Sequence, residues 1–85
     1  MTERPAILYA LSTCSHCRNT KRLLGELGID CEIIDVDLLD DDERKTVLAE
    51  VRKLNPSVSF PTLVVGERVI VGYREKEIKE AFGIS

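Results

Sequence analysis

The sequence predicts an α/β fold: a four-stranded mixed sheet flanked by helices, in the order β-α-β-α-β-β-α. Three observations lead there. The chain has 85 residues, against about 100–150 for an ordinary domain, so residues 1–85 are read as a single domain with one core. Apolar residues come first in a short continuous run, then at helical spacing, and the two patterns alternate along the chain. Apolar and charged fractions of 44% and 32% are those of a globular chain and not of a disordered one.

Each element has its own signature. Ala6 to Leu11 is a continuous apolar run, which reads as a strand buried on both faces of a parallel or mixed sheet. Ser12 and Thr13 are turn and cap residues. From Ser15 to Leu27 the period becomes helical, with Cys17, Thr20, Leu23, Leu24 and Leu27 on one face and Arg18, Lys21, Arg22 and Glu26 on the other. Gly28 is a natural helix stop. Cys31 to Val36 is rich in isoleucine and valine and reads as the second strand. Asp40 followed by Glu43 resembles a capping box. The helix it opens carries Val47, Leu48, Val51 and Leu54 on one side and ends at Asn55-Pro56. Thr62 to Val65 and Val69 to Val71, joined through Gly66-Glu67, read as a β-hairpin. Arg74 to Phe82 forms a last helix, packing through Ile78, Ala81 and Phe82, and Gly83 stops it. The first β-α-β connection is expected to be a right-handed crossover between parallel strands, and the hairpin adds an antiparallel one.

Charge narrows the function classes. A net charge of −3, from 12 basic and 15 acidic residues, argues against a nucleic-acid module. No apolar run approaches the ~20 residues of a membrane span. Met1 to Pro5 lacks a secretory layout, and the expected compartment is the cytoplasm. Residues 30–43 hold eight acids and no base. Their ordinary reading is a solvated loop and helix start; an acid-lined docking patch is the alternative.

Cysteines carry the chemistry. There are three, Cys14, Cys17 and Cys31, and an odd count in a reducing compartment is no stapling framework. Cys14 falls where the first strand ends and the first helix begins. Unpaired backbone N–H groups and the helix dipole favour a thiolate there. Cys17, three residues on, is placed to attack a mixed disulfide held on Cys14. This assigns Cys14 as nucleophile and Cys17 as resolving thiol. Ser15 and His16 are read as spacers that tune the pair, with proton transfer or metal ligation as the alternatives for His16. Cys31 reads as a buried structural thiol, with a regulatory thiol as the alternative. Pro61 starts a strand; cis forms only about 5–6% of X-Pro bonds, so trans is favoured on sequence alone.

Taken together, the strand, Cys14-Ser15-His16-Cys17 at a helix start, Ser59-Phe60-Pro61-Thr62, the hairpin and the terminal helix resemble a glutaredoxin-type thioredoxin fold from Ala6 to Ile84. The resemblance implies a cis Phe60-Pro61 bond facing the cysteine pair. It also implies that Phe60 offers its main chain to a substrate. Glutathione-using members commonly have C-P-Y-C, a lysine where Leu11 stands, and Gly-Gly followed by aspartate where Gly72-Tyr73-Arg74-Glu75 stands. Each missing charge-assisted contact costs on the order of 1.5–3 kcal/mol, with Arg18, Lys21 and Arg52 as the cations available to compensate. Gly72-Tyr73-Arg74 is similar to the Gly-Phe-Arg of the redoxins that serve ribonucleotide reductase. Tyr73 and Arg74 are therefore candidates for lining the substrate groove, beside a plain reading as packing and helix-start polarity.

The function expected is a monomeric dithiol–disulfide oxidoreductase that reduces disulfide-containing proteins. It needs no bound cofactor. A reductase or a low-molecular-weight thiol would restore the dithiol, glutathione being a candidate reductant. A second reading is a thiolate metal or iron–sulfur module that uses Cys14 and Cys17 across a dimer, since a single C-x-x-C makes no closed metal site within one chain. A third is an interaction domain in which the thiols are idle.

Overall fold

The computed structural model describes residues 6–84. One sheet runs in the order β2-β1-β3-β4, where β1 is Ala6–Ala10, β2 Glu32–Asp35, β3 Thr62–Val65 and β4 Arg68–Val71. The β1–β2 pair is parallel, whereas β1–β3 and β3–β4 are antiparallel. Three helices complete it: α1 (Ser15–Glu26), α2 (Asp41–Leu54) and α3 (Glu75–Ala81). This is the α/β order and the mixed sheet that the sequence predicts. Among the described residues no helix is long and apolar enough to cross a membrane.

Strand register sorts the side chains onto two faces. Leu8 lies opposite Leu63, and Leu63 opposite Ile70, so these three share a face with Ala10 and Val65. Cys17, Leu23 and Leu24 of α1 and Ile78 and Ala81 of α3 pack there, forming the main core. A fully buried aliphatic side chain contributes roughly 1.5–3 kcal/mol, which makes this face the principal source of stability. Tyr9 and Thr62 pair on the other face. Asn55 reaches Thr62 from the end of α2. Glu32 and Ile34 of β2 line an open groove with Thr46 and Val47, so α2 covers this second face.

Helix ends obey local chemistry. The Asp40 carboxylate accepts the Glu43 N–H at 2.9 Å and caps α2, as its spacing predicts. Gly28 and Gly83, at φ of +70° and +73°, close α1 and α3 with one motif. In α1 the Gly28 N–H reaches the Gly25 carbonyl and the Ile29 N–H the Leu24 carbonyl; Gly83 and Ile84 do the same onto Glu80 and Lys79.

Four expectations are corrected. Leu11 leaves β1, because its carbonyl turns to accept the Cys14 N–H. Cys31 precedes β2 by one residue and is half-buried, not sealed inside. Val36 leaves β2 for a 3₁₀ turn, Val36–Leu38, that the pattern does not announce. Leu54 is 36% exposed, whereas Asn55 is 6% exposed. Asn55 lies four residues beyond the buried Val51 and takes the inward place at the helix end.

Asn55 organises the segment that leads into β3. Its Nδ2 donates to the Ser59 hydroxyl, the Ser59 carbonyl and the Thr62 hydroxyl at 3.0–3.2 Å, and its Oδ1 accepts the Ser57 N–H. The Thr62 hydroxyl donates onward to the Ser59 carbonyl at 2.7 Å. Between them Val58 is held at φ +50°, a left-handed conformation that a β-branched residue rarely takes. Replacing Asn55 with Ala strips this segment of its shared partner. A loss of about 1–3 kcal/mol is expected for a buried hydrogen-bonding group. A urea denaturation midpoint unchanged by Asn55→Ala would contradict this account.

Candidate active site

Cys14 occupies the N-cap of α1, with φ −89° and ψ 126°. In that place a helix needs an acceptor for its unpaired N–H groups. The Cys14 sulfur supplies it, accepting the Cys17 N–H at 3.4 Å. Its thiol is held below the ordinary cysteine range. The Cys17 thiol beside it contributes most, and the Cys17 and His16 N–H groups and the Lys21 charge add to it, against the effect of partial burial.

Cys17 lies in the opposite environment. It is 0% exposed, within the core beneath α1. Burial pushes its thiol up to about 11, against the lowering effect of the Leu11 N–H that reaches its sulfur at 3.4 Å. The two sulfurs thus differ in the sense that a nucleophile and a resolving thiol require. Ser15 and His16 stand exposed in the first turn of α1. The His16 carbonyl accepts the Thr20 hydroxyl at 2.9 Å.

The sheet brings the second predicted segment to the same end. Thr62 pairs with Tyr9 and with Val71, so Pro61 follows on beside Ala10 and Gly72. The Gly72 N–H donates to the Pro61 carbonyl at 2.8 Å. The Phe60-Pro61 bond is cis, as the resemblance implies and against the sequence-only preference. The Phe60 side chain and Cys14 pack against the same core cluster. Tyr73 is 37% exposed, with its hydroxyl 3.4 Å from the Glu75 carboxylate. Arg74 occupies the N-cap position of α3 without a side-chain capping bond; its guanidinium donates to the Val71 carbonyl at 3.1 Å and lies 3.6 Å from Glu77. Cys31 packs against the core, and burial pushes its thiol up to about 11. Among the described residues no three His, Cys, Asp or Glu side chains are grouped to hold a metal ion.

Two acidic residues near the site escape the sequence reading, and a third residue, Leu11, is read there only as a strand residue and the place of a missing lysine. Asp35 ends β2 and meets Lys21 at 2.7 Å. Asp37, on the 3₁₀ turn, accepts the Ser12 N–H at 2.9 Å and the Ser12 hydroxyl at 2.5 Å. Leu11 is used through its backbone. The eight-acid stretch holds these anchors and a helix cap, with Asp41 also paired to Arg44.

The glutaredoxin family profile matches residues 6–70, which takes in both cysteines and Pro61. A glutaredoxin-like 8.6 kDa protein encoded in a rubredoxin operon of Clostridium pasteurianum is 31% identical over 84% of this chain and 88% of its own. The crystal structure of Methanosarcina acetivorans methanoredoxin superposes with a TM-score of 0.93 at 46% identity, covering 96% of this chain and 87% of that one. NrdH-redoxin from Escherichia coli, a glutaredoxin-like protein with a thioredoxin-like activity profile, superposes with a TM-score of 0.71 at 26% identity over 89% and 92% of the two chains.

The asymmetry of the sulfurs is open to direct titration. Iodoacetamide should alkylate reduced Cys14 with a pH midpoint below the ~8.5 of an ordinary cysteine. Cys17 and Cys31 should stay protected until far higher pH. Cys17→Ala removes the neighbouring thiol, so the Cys14 midpoint should rise. Mass spectrometry of peptides alkylated across a pH series reads all three.

Proposed function

This chain belongs to the glutaredoxin family, and from that premise we propose that it is a dithiol–disulfide oxidoreductase that reduces protein disulfides through Cys14 and Cys17. The observation that carries the reading is the contrast between the two sulfurs. One is half-exposed, caps a helix start and is held below the ordinary thiol range; the other is buried and pushed up to about 11.

The reaction follows from that contrast. The Cys14 thiolate attacks one sulfur of the substrate disulfide. The substrate S–S bond breaks, one substrate sulfur leaves as a thiolate, and the other stays on Cys14 as a mixed disulfide. Cys17 then gives its proton to solvent or to the departed thiolate and attacks the Cys14 sulfur. The Leu11 N–H, already on the Cys17 sulfur, steadies the charge that develops there. The second substrate thiol leaves. Two electrons have passed to the substrate, and a Cys14–Cys17 disulfide remains for an external thiol donor to reduce.

Substrate is held at the same end of the sheet. With the Phe60 side chain committed to the core, its main chain beside Pro61 is left to align an extended peptide. Tyr73 supplies an exposed aromatic contact. Glutathione is a poor fit as the reductant. Leu11 stands where a cation would hold its carboxylate, and of the compensating cations Lys21 is paired with Asp35, which leaves Arg18 and Arg52. A dithiol reductase in a reducing cytoplasm suits the site better.

Cys14→Ser should abolish disulfide reduction driven by dithiothreitol, while Cys17→Ser should accumulate the mixed disulfide, visible as an intact-mass adduct. Full activity in Cys14→Ser would refute the mechanism. In a coupled assay, glutathione with its reductase should support at most about a tenth of the dithiothreitol-driven rate, the scale of one lost charge-assisted contact. Equal rates would overturn the donor assignment.

A further inference from the structure

The turn between β1 and α1 touches both sulfurs. Its first residue, Leu11, donates its N–H to the Cys17 sulfur at 3.4 Å. Its last residue, Cys14, closes it by donating to the Leu11 carbonyl at 3.3 Å. Ser12 lies between them, exposed, and without an outside partner a two-residue surface turn of this kind drifts.

The partner comes from 25 residues away. Both hydrogen-bond donors of Ser12, its N–H and its hydroxyl, donate to the carboxylate of Asp37, one to each oxygen, at 2.9 and 2.5 Å. The platform under Asp37 is itself fastened. Arg44 donates to the Val36 carbonyl at 3.4 Å and to the Leu39 carbonyl at 2.6 Å, bracketing the 3₁₀ turn, and it also pairs with Asp41 at 3.0 Å. The carboxylate is held below its usual range by the Ser12 hydroxyl and N–H, so it is ionised at neutral pH.

We propose that Asp37 is a positioning residue for thiol exchange: its two-point grip on Ser12 fixes the Leu11–Cys14 turn and thereby keeps the Leu11 N–H on the Cys17 sulfur for the resolving step. Asp37 touches neither sulfur in this account and acts through the turn. The dependence is uneven. Cys14 draws its stabilisation from Cys17 and from N–H groups within α1, which do not rely on the turn. Cys17 draws its only lowering hydrogen bond from Leu11. Releasing the turn therefore slows resolution and leaves the first attack nearly intact. This inference rests on the proposed exchange between Cys14 and Cys17.

Reaction of the full reduced chain with an aromatic disulfide that releases a coloured thiolate separates the two steps in one trace. Cys14 forms the mixed disulfide and expels the first aromatic thiolate; Cys17 then forms the internal disulfide and expels the second. Asp37→Ala should slow the second phase about tenfold, the scale of a small misplacement of a reacting group, with the first phase changed less than about threefold. Ser12→Ala keeps the N–H contact and should slow the second phase less. The double variant should match Asp37→Ala, since the two residues act as one unit. Asp37→Asn can still accept the Ser12 N–H and meet its hydroxyl, so it should recover most of the rate. Circular dichroism confirms that each variant is folded. A second phase within twofold of the parent in Asp37→Ala overturns the proposal, and so does Asp37→Asn behaving like Asp37→Ala, because charge and not grip would then be responsible. A parent chain with no second phase, or one whose second phase survives Cys17→Ser, would instead overturn the exchange mechanism beneath it.

Discussion

Two atoms of one element, three residues apart, are kept in opposite surroundings, and the remainder of the site follows from that. The separation is geometric. A helix start leaves N–H groups without partners, and Cys14, standing just before α1, turns its sulfur into the acceptor they lack. One turn further on, Cys17 points into the sheet and is walled in by aliphatic side chains. The same backbone that gives one sulfur a reason to carry charge denies it to the other. Shifting either cysteine by one residue along α1 would rotate its side chain by about 100° and dissolve the arrangement.

The strands serve this pair by converging on it. β1 delivers the turn that precedes Cys14, Pro61 leads into β3 beside Ala10, and Gly72 follows the end of β4 and bonds to Pro61. The parallel neighbour β2 ends at the same edge, which is how Asp35 and Asp37 come near α1 and its turn. Behind Pro61 stands the Asn55 network, which fixes the approach of the chain where no regular secondary structure can. The site is a set of element ends, each held by a polar contact that reaches outside its own element.

Much of this was legible in the sequence because it is local. Gly28 and Gly83 mark helix ends by a conformation that other residues resist. Asp40 announces α2 by its offset from Glu43, and Gly66-Glu67 announces the hairpin. The cysteine pair is visible by spacing alone, and the cis bond at Pro61 only through family resemblance. What could not be read depends on register. Asp37 reaches across 25 residues and Lys21 across 14, and no spacing rule links them. Arg74 reads in the sequence either as a groove residue or as helix-start polarity, and its bonds to the Val71 carbonyl and Glu77 follow from no spacing rule. Asn55 looks like a helix terminator, and it does end the helix, but its buried side chain is the more consequential half.

The contrast between the thiols also bears on how the folded chain withstands alkali. A lowered thiol such as Cys14 adds stability that is full above its unfolded value, about 8.5, and fades as pH falls through the folded one. Raised thiols such as Cys17 and Cys31 do the reverse: their contribution is full below the unfolded value and is lost as pH climbs through about 11. The disulfide of the proposed exchange would remove Cys14 and Cys17 from the balance and leave Cys31. On the proposed exchange, the dithiol and disulfide forms of this small fold are therefore expected to differ in how they withstand alkali, a dependence of base resistance on redox state set within one helix turn.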